Sequence, residues 1–324
     1  MASLPIALTK KTSSSKIYAF ITGTAIDNNN ALFLLQADAI IPYYPSSPSS
    51  TGTSLAFYCA IPLGALDNTV TASIPHLAGG RIYSELFANI SYVDFVSLPV
   101  ALNLPNTSGA QQAVTGMPAN GPSTVISGLQ AQQASDNAGW SSLVVTDSSG
   151  AILRALSPNN GIALNNSLFQ DYWTSYLQAV FAQYSGSTTL SIDTQAQWGV
   201  VAGSVDSRQP QLRHRWQRRS GPFAASSSIE KGALIARLAA VFNRSVLLTE
   251  DVTPNVDASA YYQDSVTNHY ARIVHGANTD GRGYAFSFDD FMPTGGEDQS
   301  GAVQDGAPQL LTVTVGGKMT MQGK

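Results

Sequence analysis

The first hundred residues are cut by turn-forming residues into apolar runs too short for anything but β-structure. Lys16 to Thr24 and Ala31 to Ala37 are apolar, β-branched or aromatic, and Asp27-Asn28-Asn29-Asn30 between them is a turn signal. Pro42 to Gly52 is a Pro/Ser loop, because proline lacks the N–H that a helix or a central strand requires. Val70 to Ile74 reads as a short strand, and Gly79-Gly80 turns the chain after it. Leu86 to Leu104 is strand-like with a break at Pro99, and the two-residue period puts Ile90, Tyr92, Asp94 and Val96 on one face.

The character changes after a Gly/Gln/Pro-rich connection, Gly109 to Gly121. Pro122 suits the first turn of a helix running to about Ser135. Leu143 to Thr146 and Thr188 to Ile192 read as short strands. Over Ser167 to Tyr184, Phe169, Trp173, Tyr176, Leu177, Val180 and Tyr184 recur at helical spacing. Ser227-x-x-Glu230 is a capping box opening a helix to Arg244, and Ala258 to His275 reads as another helix. The chain therefore divides into a β-rich part, 1–108, and a mixed α/β part, 109–324, closed by a strand at 310–315.

Several functions are disfavoured at this level. Charged residues make up 12%, about half the roughly 25% usual in soluble domains, so the surface must hydrogen-bond through Ser, Thr, Asn, Gln and Gly. The net charge of −4 gives no global footprint for nucleic acid. No apolar run reaches the roughly 18 residues of a membrane helix; the longest, Ala31 to Ile41, is broken by Gln36 and Asp38. Met1 to Lys11 lacks the basic and apolar regions of a signal peptide. The single cysteine, Cys59, excludes an intrachain disulfide and a Cys-rich zinc site. There is no His-Glu-x-x-His or Gly-x-Ser-x-Gly pattern, and His269 and His275 are spaced for different helix faces, so neither a metal nor an organic cofactor is implied. Arg208 to Arg219, with five arginines, His214 and Trp216, reads as a loop rather than an anion-binding patch.

The carboxylates are the remaining candidates for chemistry. Asp94 in Tyr92-Val93-Asp94-Phe95-Val96 costs desolvation inside an apolar strand unless it is hydrogen-bonded or working, and both readings fit. Glu85 lies an odd number of residues earlier, on the opposite face of a continuous strand, as a solvated edge residue does. Asp280-Gly281-Arg282-Gly283-Tyr284 followed by Asp289-Asp290 suits either hairpin turn chemistry or binding of sugar hydroxyls or a cation. Among the tryptophans, Trp173 belongs to a helix core, and Trp198, which follows a strand, is the better surface candidate for sugar stacking, with a place in the core as the commoner fate. Asn-x-Ser sites at Asn89, Asn106, Asn165 and Asn243 hint at a secretory history.

These residues resemble a known family. Leu86 to Pro99 (LFANISYVDFVSLP) is similar to the active-site strand of glycoside hydrolase family 64, the laminaripentaose-producing type of β-1,3-glucanase. ALFLLQAD from Ala31, IPHLAGGRI from Ile74, RALSPNNG from Arg154, DTQAQWG from Asp193 and GRGYAFSFDD from Gly281 follow in the family's order, with the fungal branch most similar. The resemblance implies two lobes, one β-barrel-like and one mixed α/β and thaumatin-like, with a wide groove between them for a β-1,3-glucan chain. It implies a secreted monomer that hydrolyses with inversion. Asp94 matches the general base, and Phe87, Ser91, Tyr92, Trp198, Asp280, Asp289 and Asp290 match the sugar-binding surroundings. The general-acid Glu of the family lies in a strand upstream, and here Arg81-Ile82-Tyr83-Ser84 runs straight into Glu85-Leu86-Phe87 without it. Glu85 is the one substitute at hand. Impaired hydrolysis is expected, with a glucan- or cell-wall-binding protein, or a defective gene-model product, as the alternatives. The Arg-rich stretch and the absent export signal are further departures, and Cys59 stands without a disulfide partner.

Overall fold

The computed structural model describes residues 4–14, 16–25, 28–29, 31–45, 57–74, 86–204 and 229–317. The chain forms two compact units: residues 1–90, 98–119 and 302–324 make the first, and residues 91–97 and 120–301 the second. Among the described residues the sheets are open and mixed with helices, and none closes into a barrel.

The first unit is built on a five-stranded sheet in the order Gln111–Val114, Val100–Pro105, Leu311–Val315, Leu4–Lys10, Thr69–Ile74. The N-terminal strand, which has no turn signals to frame it in the sequence, lies inside this sheet: Leu8 pairs with Val313 in parallel and with Val70 antiparallel. The expected strand over 16–24 is divided into Tyr18–Ala19 and Thr22–Ala25, which belong to different sheets. Ala31–Leu35 pairs with both Thr22–Ala25 and Pro42–Tyr43. Ala25, Phe33, Leu35, Ala39, Ile61, Ala72 and Ile74 bury a common core beneath these strands. The expected connection at 109–121 supplies the edge strand Gln111–Val114, then turns at Gly116, whose φ of +66° suits glycine. Cys59 is a fully buried free thiol whose pKa burial raises, so it behaves as a small apolar side chain.

The second unit carries five α-helices among its described residues: α1 (Gly121–Asp136), α2 (Pro158–Leu164), α3 (Thr174–Tyr184), α4 (Ile229–Arg244) and α5 (His269–Ala277). Trp173, Tyr176, Leu177, Val180 and Tyr184 pack against Val241, Phe242, Leu190 and Ile192 as one core. α1 approaches α5 at Gly128, where a Cβ would come 2.7 Å from Ile273 Cγ2. Two expected helices are shorter than their periodicity suggests. The helix over 167–184 begins only at Thr174, because Asn165 Oδ1 draws Ser167 into a turn (3.1 Å to its N–H) and Phe169 takes a φ of +57°. The helix over 258–275 is a short 3-10 turn, Ala258–Ala260, and then α5, separated by Tyr262 at a φ of +61°. Ser227 of the capping box, the Arg-rich stretch 208–219 and the Gly79-Gly80 turn lie outside the described residues.

Candidate active site

Two sequence-distant stretches of the second unit, 152–160 and 270–284, bond to residues 91–96. Phe95–Val96 pairs with the strand Ile152–Leu156 (Phe95 with Leu156, Val96 with Ala155), and the Arg154 guanidinium lies 5.4 Å from the Phe95 ring centroid. The strand stops at Ser157, whose Oγ caps α2 by accepting from Asn160 N at 3.4 Å, with Pro158 in the first turn where its missing N–H costs nothing. This entry into the helix aims Ser157 N–H and Asn160 Nδ2 at the Asp94 carbonyl, at 2.9 and 3.0 Å. Asn160 Nδ2 also reaches Asp94 Oδ1, at 3.5 Å. On the other side, Tyr92 N–H donates to Tyr284 O at 2.7 Å, Ser91 bridges to Tyr284, and Tyr270 Oη donates to Tyr92 O at 2.6 Å.

The strand expected over 86–104, with its break at Pro99, is therefore interrupted a second time, before Phe95. It runs as Leu86–Asn89, Phe95–Val96 and Val100–Pro105. The backbone of Tyr92 bonds to Tyr284 and Tyr270 rather than to a ladder, so strict alternation lapses. Tyr92 and Val93 are both buried, and Asp94 is exposed instead of sharing the inward face of Ile90 and Val96. The desolvation cost expected of Asp94 does not arise. Asp94 is exposed while the main chain around it is fixed, by Ser157 and Asn160 at its own carbonyl and by Tyr284 and Tyr270 at Tyr92.

The acidic cluster at 280–290 separates into members with different duties. Asp280 is half-buried and its Oδ1 accepts from Arg282 N at 3.2 Å, as turn chemistry requires. Asp290 is exposed and accepts from Tyr284 Oη at 2.9 Å. Burial and then Asp290 raise the pKa of Tyr284, so the phenol remains a donor. Asp289 is fully buried, with Oδ1 3.1 Å from Arg244 Nη2 and Oδ2 3.0 Å from both His275 Nε2 and Ala285 N. Burial, the largest influence, would raise its pKa; His275, Arg244 and the Ala285 N–H outweigh it, and the pKa is lowered. His275 Nδ1 lies 3.0 Å from Gly281 O. With both oxygens engaged and no exposed surface, Asp289 fixes the loop to α4 and α5 rather than meeting a sugar. Tyr92, 3% exposed, is likewise an internal packing residue.

A separate turn of the second unit has Thr194 N and Oγ1 donating to Gly199 O at 3.0 and 2.7 Å and leaves Trp198 half-buried. Gln195, at a φ of +49°, fastens this turn to the loop beyond Asp290 by donating to Met292 O at 2.9 Å. Gln195 Oε1 accepts from Arg237 Nη2 at 3.3 Å, and that guanidinium lies 4.4 Å from the Phe291 ring centroid. Phe87, in the first unit, is 55% exposed on the strand Leu86–Asn89. Ser91 is exposed. Glu85 lies outside the described residues. Among the described residues no three His, Cys, Asp or Glu side chains cluster as metal ligands, and no helix is long and apolar enough to cross a membrane.

The positioning residues Asn160, Tyr284, Gln195 and Arg237 had no individual signal in the sequence. The nearest to one is Ser157-Pro158, an N-cap followed by a first-turn proline, which places Asn160 in the opening turn of a helix.

Comparison with solved structures defines the fold. The structure of a laminaripentaose-producing β-1,3-glucanase in complex with laminaritetraose superposes with a TM-score of 0.82 at 23% identity, covering 97% of this chain and 98% of that one. A β-1,3-glucanase domain from Clostridium beijerinckii superposes with a TM-score of 0.66 at 17% identity, again over 97% of this chain and 98% of that one. The family model described as beta-1,3-glucanase, glycoside hydrolase family 64, matches residues 2–85 and 83–315. The chain belongs to that family. Glucan endo-1,3-beta-glucosidases from Cellulosimicrobium cellulans and Arthrobacter sp. (strain YCWD3) are each 26% identical over 70% of this chain, and the match spans 42% of their length.

Proposed function

We propose that the chain acts on β-1,3-glucan by the inverting route, with Asp94 as the general base that activates water, and that its hydrolysis is impaired. The observation that carries the reading is Asp94 itself, a solvent-facing carboxylate on a main chain clamped by Ser157, Asn160, Tyr270 and Tyr284. An inverting glycosidase needs such a base on one side of the sugar and a carboxylic acid about 6.5–9.5 Å from it, with water between. The family model matches in two pieces that meet at 83–85, the place where the upstream acid-bearing segment is expected and Ser84 runs into Glu85. That break supports a missing segment, with Glu85 the substitute acid. Loss of general-acid assistance slows hydrolysis by about 10²–10⁴-fold.

The exposed Ser91 and Asp290 and the half-buried Trp198 and Asp280 of the second unit are the proposed sugar contacts, and on the first unit the exposed Phe87 is a separate candidate. The finer features implied by the resemblance belong to the same proposal: a thaumatin-like character, a wide glucan groove, a fungal origin, a monomer and an extracellular site of action. Retention on insoluble linear β-1,3-glucan, measured against cellulose, tests the substrate class. Binding to the first alone is expected, and equal retention on both would remove the assignment.

A further inference from the structure

The four Asn-x-Ser sites share the same hydroxyl residue, so their surroundings distinguish them. A folded protein that carries an N-glycan needs an acceptor whose carboxamide nitrogen gives up no folded contact, and the acceptor peptide needs the Asn and Ser drawn together by a bend of the chain. Asn243 fails the first requirement, since its Nδ2 donates to Ala239 O at 2.8 Å and its Oδ1 accepts from Asn268 Nδ2 at 2.8 Å. Asn106 has the bend, with Oδ1 accepting from Ser108 N and Oγ at 3.0 and 2.7 Å, but its Nδ2 is bonded to Asp305 Oδ2 at 3.0 Å. Asn89 is half-buried in a β-ladder, paired with Ala302. Asn165 meets both. It is exposed where α2 ends, its Oδ1 accepts from Ser167 N and Oγ at 3.1 and 2.7 Å, and among the described residues its side chain is held only through that oxygen.

We infer that Asn165 is an N-glycan acceptor. A glycan here breaks no folded contact, whereas one on Asn106 or Asn243 must displace Asp305 or the Ala239 carbonyl. The neighbouring Leu164, 76% exposed, would gain cover from the first sugar. Asn160, which holds Asp94, stands at the opposite end of the same helix, so the glycan leaves that end open. In the step itself, Nδ2 forms a bond to C1 of the first sugar of a lipid-pyrophosphate-linked oligosaccharide. The C1–O bond breaks, the lipid pyrophosphate leaves, and one Nδ2 proton passes to a base of the transferase; nothing is oxidised or reduced.

The inference rests on the export proposed above, and the test supplies export separately. The full chain is expressed in a eukaryotic host behind a cleavable signal peptide. Medium and lumenal fractions are both collected, and cleavage of the signal peptide reports translocation. The translocated chain is then treated with a peptide:N-glycosidase and the four sites are mapped by conversion of Asn to Asp. One downward gel shift is expected, mapped to Asn165 and lost in both Asn165→Gln and Ser167→Ala, the latter keeping the asparagine itself. A translocated chain with Asn165 unmodified, or with Asn106 or Asn243 occupied as fully, overturns the inference. Neither result bears on glucan binding, which is measured independently on chain from a bacterial host.

Discussion

Replacing Asp289 by asparagine keeps the shape of a buried side chain and removes its charge. In the folded protein the Arg244 guanidinium, 1% exposed, and the His275 ring, 7% exposed, share this carboxylate. An Asn oxygen can still accept from Arg244, but the amide nitrogen then confronts the Ala285 N–H and His275 Nε2, where the carboxylate accepted. Breaking one side of a buried ion pair costs about 3–5 kcal/mol, because the remaining cation stays desolvated. For a unit of this size each kcal/mol shifts Tm by about 2–4 °C, so a fall of about 6–20 °C is expected. Trp140, Trp173 and Trp198 fall within the second unit, which makes tryptophan fluorescence during thermal unfolding the appropriate assay. The double variant Asp289→Leu with Arg244→Met removes both charges and is expected to be more stable than Asp289→Asn. An Asp289→Asn variant within about 1 kcal/mol of the parent would refute the view that this carboxylate compensates the buried Arg244 cation.

Other consequences follow from single contacts. Asn160→Ala removes a donor to the Asp94 carbonyl and is expected to cost about 0.5–1.5 kcal/mol in urea unfolding, with a lower rate of glucan hydrolysis than the loss of stability explains. Gly116→Ala would place a Cβ 1.9 Å from Val100 O at a φ of +66°, and a destabilisation of at least about 2 kcal/mol is expected in the first unit. Stability should also fall with acid. The pKa of His269 is lowered from 6.5, by burial first, and that of Asp289 from 3.8. Depressed folded values mean that the unfolded chain binds more protons, so the His269 contribution fades below pH 6.5 and that of Asp289 below pH 3.8. Unfolding midpoints measured across pH check the sign, and His269→Gln should flatten the upper part of the decline.

Much of the architecture was legible because it rests on local rules. The β-rich start, α1 with its first-turn proline, and the strand Leu311–Val315 all follow from pattern and turn chemistry. The failures have a common cause, namely that distant partners overrode a local period. Leu4–Lys10 became a sheet strand because Leu311–Val315 and Thr69–Ile74 flank it, which no neighbouring residue announces. Asp94 left its expected face because Tyr284 and Tyr270 took the backbone groups of Tyr92. The run from 258 to 275 has helical spacing, yet Tyr262 N bonds to Arg244 O at 2.9 Å and the chain bends there. Asp289 and Asp290 are adjacent and chemically identical, and only the fold separates a buried ion-pair partner from an exposed acceptor.

The central claim is that Asp94 is the base of a β-1,3-glucan hydrolase working without its usual acid. It is tested most directly by oligosaccharide release from linear β-1,3-glucan. Parent chain and Asp94→Asn would be assayed side by side, with a laminaripentaose-producing β-1,3-glucanase as the reference. The account predicts release about 10²–10⁴-fold below the reference, abolished in Asp94→Asn, with retention on insoluble glucan unchanged by the substitution. Release by Asp94→Asn at the parent's rate, or a parent that hydrolyses as fast as the reference, would contradict it.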